Sequence, residues 1–292
     1  MSRKLSSNYR AFTVINYIVM FILCLTFLYP FIYSWAISLS DASHIVSGRV
    51  FCYPQGFNIE AYRAIFRDNS LVNSLIFTIK LTVCGVFASI IMTILAAYPL
   101  SRTGLKGGGL ILRLIVFTMY FSGGLIPTYL VIKNLGLINK LGALIFPDVI
   151  HTFLLIIMIS YFRGIPVELE EAAKVEGCDA FGILNKIIIP LAKPVIATLV
   201  IFYAVSYWNC FFPALIYIQS PSKYPLQIKL YQVLSWFSDD LRYSLDSQAQ
   251  SVVISENLKA AMVLVTAAPI LFVYPWLQKY FIKGVTIGAI KG

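Results

Sequence analysis

Apolar positions along the chain gather into long runs at about 12–39, 71–100, 109–132, 141–162, 194–218 and 260–282. Each is long enough to cross ~30 Å of hydrocarbon as a helix rising ~1.5 Å per residue. A bilayer offers no partner for backbone N–H and C=O groups, so only helices and closed barrels span it, and uninterrupted apolar runs are the helical pattern. The spacing predicts an all-α integral membrane protein with six transmembrane helices. The first run is too long for a signal-peptide core and has no clear A-x-A site, so it reads as a retained span. Gly123, Gly124 and Pro127 predict a kink within the third.

Between the runs the pattern changes. Two sizeable polar stretches cover about 40–70 and 219–259. In the second, Leu226, Leu230, Val233, Leu234 and Phe237 recur at helical spacing just after Pro225, which predicts an amphipathic helix, followed by Asp239-Asp240 and a Ser/Gln-rich stretch. The segment 163–193 predicts two short helices. Pro166 suits a first helical position, and Glu168, Glu170 and Glu171 fall at the positive end of the helix dipole. Gly177 supplies a left-handed stop, Asp179 a cap, and Ala180, Ile183, Leu184, Ile187 and Ile188 one apolar face that Pro190 ends. The product is a compact alanine face rimmed by acids, shaped either as a knob for a socket on another protein or as a loop packed on its own bundle.

Composition agrees with the spans. Apolar residues make up 59% of the chain and charged residues 12%, about half the soluble average. The mean hydropathy is +0.80. Disorder, coiled coil and an ordinary soluble enzyme are excluded on that ground. The formal net charge of +10 forms no basic stripe, so nucleic acid is not indicated. Placing the N-terminus inside gives the shorter inside loops the denser Lys and Arg charge, and an even number of spans then puts both termini in the cytoplasm. Neither CxxC nor HExxH occurs among the 5 Cys and 2 His, so no disulfide framework, zinc site or metal centre is expected.

Glu171-Ala172-Ala173, three residues, Gly177, nine residues and then Ile187-x-Ile189-Pro190 resembles the EAA signature of bacterial binding-protein-dependent ABC importer permeases. That family usually has Leu where Ile189 stands. Further stretches carry the likeness: Asn73-Ser74-Leu75, Ala96-Ala97-Tyr98-Pro99-Leu100-Ser101-Arg102, Gly123-Gly124-Leu125-Ile126-Pro127, Leu135-Gly136-Leu137-Ile138-Asn139, Trp208-Asn209-x-Phe211-Phe212-Pro213, Tyr224-Pro225-Leu226-Gln227 and Gly284-Val285-x-x-Gly288-Ala289. Together they look like the carbohydrate-uptake branch, close to the maltose-type second permease. The resemblance implies a type I importer fold: residues 1–70 hold a tail, an extra first helix and an outer segment, 71–282 a five-helix core, and 283–292 a cytoplasmic tail. It implies that Glu170, Glu171, Ala172, Ala173, Gly177, Asp179, Ile187 and Pro190 form a coupling helix docked on an ATPase. The chain has no GxxxxGK[ST] loop, so ATP and Mg belong on that separate ATPase and no cofactor on this chain.

The implied partners are a different sister permease, two ATPase subunits, an extracytoplasmic solute-binding protein, a sugar and the bilayer. Tyr203, Tyr207, Trp208 and Asn209 offer aromatic faces and hydrogen bonds to a sugar in its pathway, or else pack at an interface. By the same resemblance, the outer stretch with Trp236, Asp239 and Asp240 touches the binding protein. Lys80 either snorkels or pairs with Asp148. A membrane-embedded enzyme or a secondary transporter is the alternative. Neither a nucleophile elbow nor the paired broken helices of a secondary carrier is evident.

Overall fold

The computed structural model describes residues 7–102, 104–243, 256–272 and 275, and every helix and strand element assigned among them is helical. Residues 276–292, including the tail 283–292, lie outside the described residues. The chain divides into two compact units, one drawn from Met1–Val72 and Leu230–Ala268, the other from Asn73–Lys229 and Pro269–Gly292. The outer stretch that sequence order places within 71–282 is thus split between them.

In the first unit, α1 (Ser7–Ser38) is a single 32-residue helix. It exposes Tyr17, Phe21 and Phe27 by 72%, 63% and 72% on its flanks, a surface that only lipid or apolar protein tolerates. Its last turn is pinned by polar contacts. Ser38 Oγ and Tyr62 Oη of α3 (Glu60–Arg67) lie 2.9 Å apart. Asn257 Nδ2, on the helix over 256–272, donates to Ser40 O at 2.7 Å. Between them α2 (Ala42–Val46) starts at Asp41, whose carboxylate accepts from Ser43 N and Oγ. Those bonds, the Ser43 hydroxyl first, hold the Asp41 carboxyl below its ordinary range.

The second unit opens with most of α4 (Asn69–Ser101), the second unbroken span. The third and fourth predicted spans are bent and the fifth is cut, while the sixth, 260–282, is helical where it is described, up to 272. The third consists of α5 (Gly108–Tyr120) and α6 (Leu125–Asn134) at 115° to one another, so it turns back instead of kinking. Two glycines leave the linker free to turn, and Pro127 falls in the first turn of α6, where its missing N–H is not needed. The fourth is α7 (Gly142–Ile145) with a 3₁₀ turn at Phe146–Asp148, bent by 52° from α8 (Thr152–Arg163). Then come α9 (Glu168–Val175) and α10 (Ala180–Leu191), the latter at 81° to α11 (Lys193–Trp208). The predicted run 194–218 does not continue as one helix. It stops at Trp208, and α12 (Phe212–Tyr217) restarts with Pro213 in its first turn. An amphipathic helix follows Pro225 as the spacing predicts, α13 (Leu226–Tyr243).

The second unit's core is centred on α8. Leu154, Leu155, Met158, Ile159 and Phe162 form one buried stripe at helical spacing, packed with Leu81 of α4, Ile188 of α10 and Leu199 of α11. In lipid such packing gains little from dehydration; close van der Waals fit and interhelical hydrogen bonds hold it.

Candidate functional site

The segment after α8 folds as the helix–turn–helix its pattern predicts. α9 starts at Glu168, two residues after Pro166, with Glu168, Glu170 and Glu171 in its first turn. It closes in a Schellman arrangement: Gly177 N–H donates to Lys174 O at 3.0 Å and Cys178 N–H to Ala173 O at 2.9 Å. Gly177 sits at φ +83°, a conformation that costs any other residue strain. Asp179 then caps α10, its Oδ1 accepting from Gly182 N at 3.0 Å.

α10 runs one residue past Pro190. A π turn over Leu184–Ile188, closed by Ile189 N–H to Leu184 O, absorbs the missing proline donor, and the helix ends at Leu191. The eight docking candidates do not share one face. Glu171, Ala172, Gly177, Asp179 and Pro190 are exposed, and Ile187 is half-buried. Glu170 and Ala173 turn inward, with 3% and 5% exposure, and Glu170 forms an ion pair with Arg102 at the end of α4. Val175 and Phe181 are also exposed, by 90% and 62%, and sequence reasoning did not single them out.

Tyr203 and Tyr207 of α11 are both buried, and their hydroxyls form two rungs to α4. Tyr203 Oη lies 2.7 Å from Thr93 Oγ1 and Tyr207 Oη 2.8 Å from Ser89 Oγ. His151 N–H donates to Tyr203 Oη at 3.1 Å. Gly85, one turn before Ser89, lets the Tyr207 ring close on the helix: a Cβ there would stand 2.7 Å from the ring carbons. Trp208 is buried beside them, while Asn209 is exposed beyond the helix end and accepts from Gln227 Nε2 of α13 at 3.1 Å.

Two cavities of about 360 and 390 Å³ share Asp148, Ser206 and Tyr207, and the second also borders Tyr203. Asp148 and His151 stand at the break between α7 and α8, both exposed. Acceptors, a hydroxyl and the rings of Phe202 and Phe212 meet there, the mixture that binds polyhydroxylated molecules. Lys80 is exposed on α4, and no ion pair joins it to Asp148 among the described residues, so of the two sequence options the pairing is not formed.

Elsewhere in the unit, Asn139 clasps two loops. It adopts φ +61°, and its N–H reaches Tyr217 O at 2.8 Å. Its side chain donates to Ser220 Oγ and accepts from Ser220 N, while its own carbonyl accepts from Lys223 Nζ at 2.9 Å. This clasp positions Pro225 and the start of α13, where Leu226 N–H donates to Thr78 Oγ1 at 2.8 Å. Trp236, Asp239 and Asp240 fall on α13 farther along, and their side chains lie outside the described residues.

A family model described as "Binding-protein-dependent transport system inner membrane component" matches residues 75–287. Among similar proteins of Bacillus subtilis (strain 168), Protein LplC is 43% identical over 90% of this chain and 89% of its own length. The polygalacturonan/rhamnogalacturonan transport system permease protein YtcP of the same organism is 39% identical over 97% and 99%. A chain from the crystal structure of a bacterial ABC transporter that imports the acidic polysaccharide alginate superposes with a TM-score of 0.86 at 32% identity, covering 96% of this chain and 100% of that one.

Proposed function

The chain belongs to the binding-protein-dependent transport system inner membrane components, and from that premise we propose that it is one of two different permease subunits in an ATP-driven importer of oligosaccharides. The family is a transport component, which sets aside the membrane-embedded enzyme and the secondary carrier. In this reading the chain is a multi-pass protein of the bacterial cytoplasmic membrane with both termini inside. An extracytoplasmic binding protein delivers the sugar, two ATPase subunits supply ATP and Mg, and a sister permease completes the pathway. Supporting the sugar are the transport roles named for YtcP and for the alginate importer chain.

The observation that carries the proposal is the display of α9. Its outward face presents Glu171 and Ala172 with Val175 beyond, while Glu170 and Ala173 root it in the bundle. A short helix held by one face and bare on the other suits insertion into a groove on the ATPase, with exposed apolar groups buried and rim acids paired on docking. The cavities around Asp148, Ser206 and Tyr207 form this chain's wall of the sugar pathway. Asp239, Asp240 and Trp236 stay assigned to the binding-protein side.

Glu171→Lys tests the docking. Co-purification of the ATPase and sugar uptake by reconstituted vesicles should both fall at least tenfold, with membrane insertion unchanged. Full association and full uptake in that variant would falsify the docking role.

A further inference from the structure

Three helix ends meet where α4 and α8 finish and α9 begins. The final carbonyls of a helix have no partner within it. Here each helix is capped by its neighbour's arginine. Arg102, just past α4, donates from Nη1 to Phe162 O of α8 at 3.2 Å. Arg163, at the end of α8, donates from Nη2 to Leu100 O of α4 at 3.3 Å. Both cations stand at the negative ends of helix dipoles. The Arg102 guanidinium also lies 5.2 Å above the Tyr98 ring, which meets Phe162 edge-on at 6.4 Å between centroids. Glu170 of α9 closes this clasp by pairing with Arg102, and its side chain is only 4% exposed.

We infer that Arg102 is a positioning residue that passes displacement of the coupling helix into α4 and α8, with Glu170 as its handle rather than a docking group. The inference rests on the docking role proposed for α9. The covalent route from α9 onward is poorly suited to carry force. It runs through the left-handed Gly177, the π turn at Leu184–Ile188 and an 81° bend. The ion pair bypasses these joints. The nearly buried Glu170 carboxylate would be an uncompensated charge without its guanidinium, so the pair resists separation and moves as one body. Once in α4, the displacement arrives at Ser89 and Thr93, which hold Tyr207 and Tyr203 at the cavity wall.

The test uses the assembled transporter in proteoliposomes and reads sugar moved per ATP hydrolysed. In Arg102→Gln the ATPase should stay bound and hydrolyse ATP, while the ratio falls at least tenfold. Arg102→Lys, which keeps the charge but not the second nitrogen that reaches Phe162 O, should lose about threefold. The double variant Arg102→Gln/Glu170→Gln buries no lone charge, so it folds even where a single change does not. Its ratio should match that of Arg102→Gln, because the two residues act as one unit. A normal ratio in the double variant overturns the inference, as does release of the ATPase by Glu170→Gln, which would return Glu170 to the docking surface. Failure of the docking reading shows separately, as full ATPase association in Glu171→Lys.

Discussion

Glu170 and Glu171 are adjacent acids with opposite fates. One points into the bundle at Arg102 and the other into solvent. Neighbours on a helix are ~100° apart, so one face cannot hold both, and nothing in the acidic run itself says which is inside. The same ambiguity attends Tyr203 and Tyr207. Their four-residue spacing was legible, but the receiving Ser89 and Thr93 lie on another helix, more than a hundred positions away. Tyr207→Phe should keep the ring and lose the rung, lowering stability by about 0.6 kcal/mol and at most ~1.7. Gly85→Ala pushes a methyl into that ring and should cost more, about 1–3 kcal/mol. Thermal unfolding in detergent checks both, and an unaltered midpoint in Gly85→Ala contradicts the close approach.

Among the elements, those whose boundaries come from local chemistry were readable. Gly177 and Asp179 mark the turn between α9 and α10 because a left-handed stop and a carboxylate cap are single-residue devices. Pro225 marks the start of α13 for the same reason. Gly177→Ala should strain that turn by about 1–2 kcal/mol. A proteolysis assay should then cut between α9 and α10 faster than in the parent chain; equal rates would mean the turn tolerates a side chain. The bends in the third and fourth spans and the break in the fifth were less readable. Hydropathy averages over a window, so it sees an apolar stretch and not the angle within it. The glycines and Pro127 signal an interruption, but a turn of 115° depends on what each half packs against.

For the molecule as a whole, the surface is its own evidence of environment. α1 offers apolar side chains around most of its circumference, and α5 has no buried residue. Such surfaces need lipid or another subunit. Orientation is a prediction at this scale. A cysteine placed at Ser222 should react with a membrane-impermeant thiol reagent on intact cells, in a background without the native cysteines. One at Glu176 should react only after the cells are opened. The reverse pattern would invert the topology and remove α9 from reach of any cytoplasmic ATPase.

What the amino-acid order determined alone is the class of protein and the existence of its acidic helix–turn–helix. Long apolar runs, turn residues and the Glu171-to-Pro190 spacing are local facts, and locally encoded features survive in one dimension. Only the tertiary structure decided which acid anchors α9, where the tyrosine hydroxyls go, how Asn139 joins two loops and that Arg102 and Arg163 cap one another's helices. Each of these is a contact between residues distant in the chain. Their partners are chosen by how helices cross and turn, and no periodicity in the sequence records that choice.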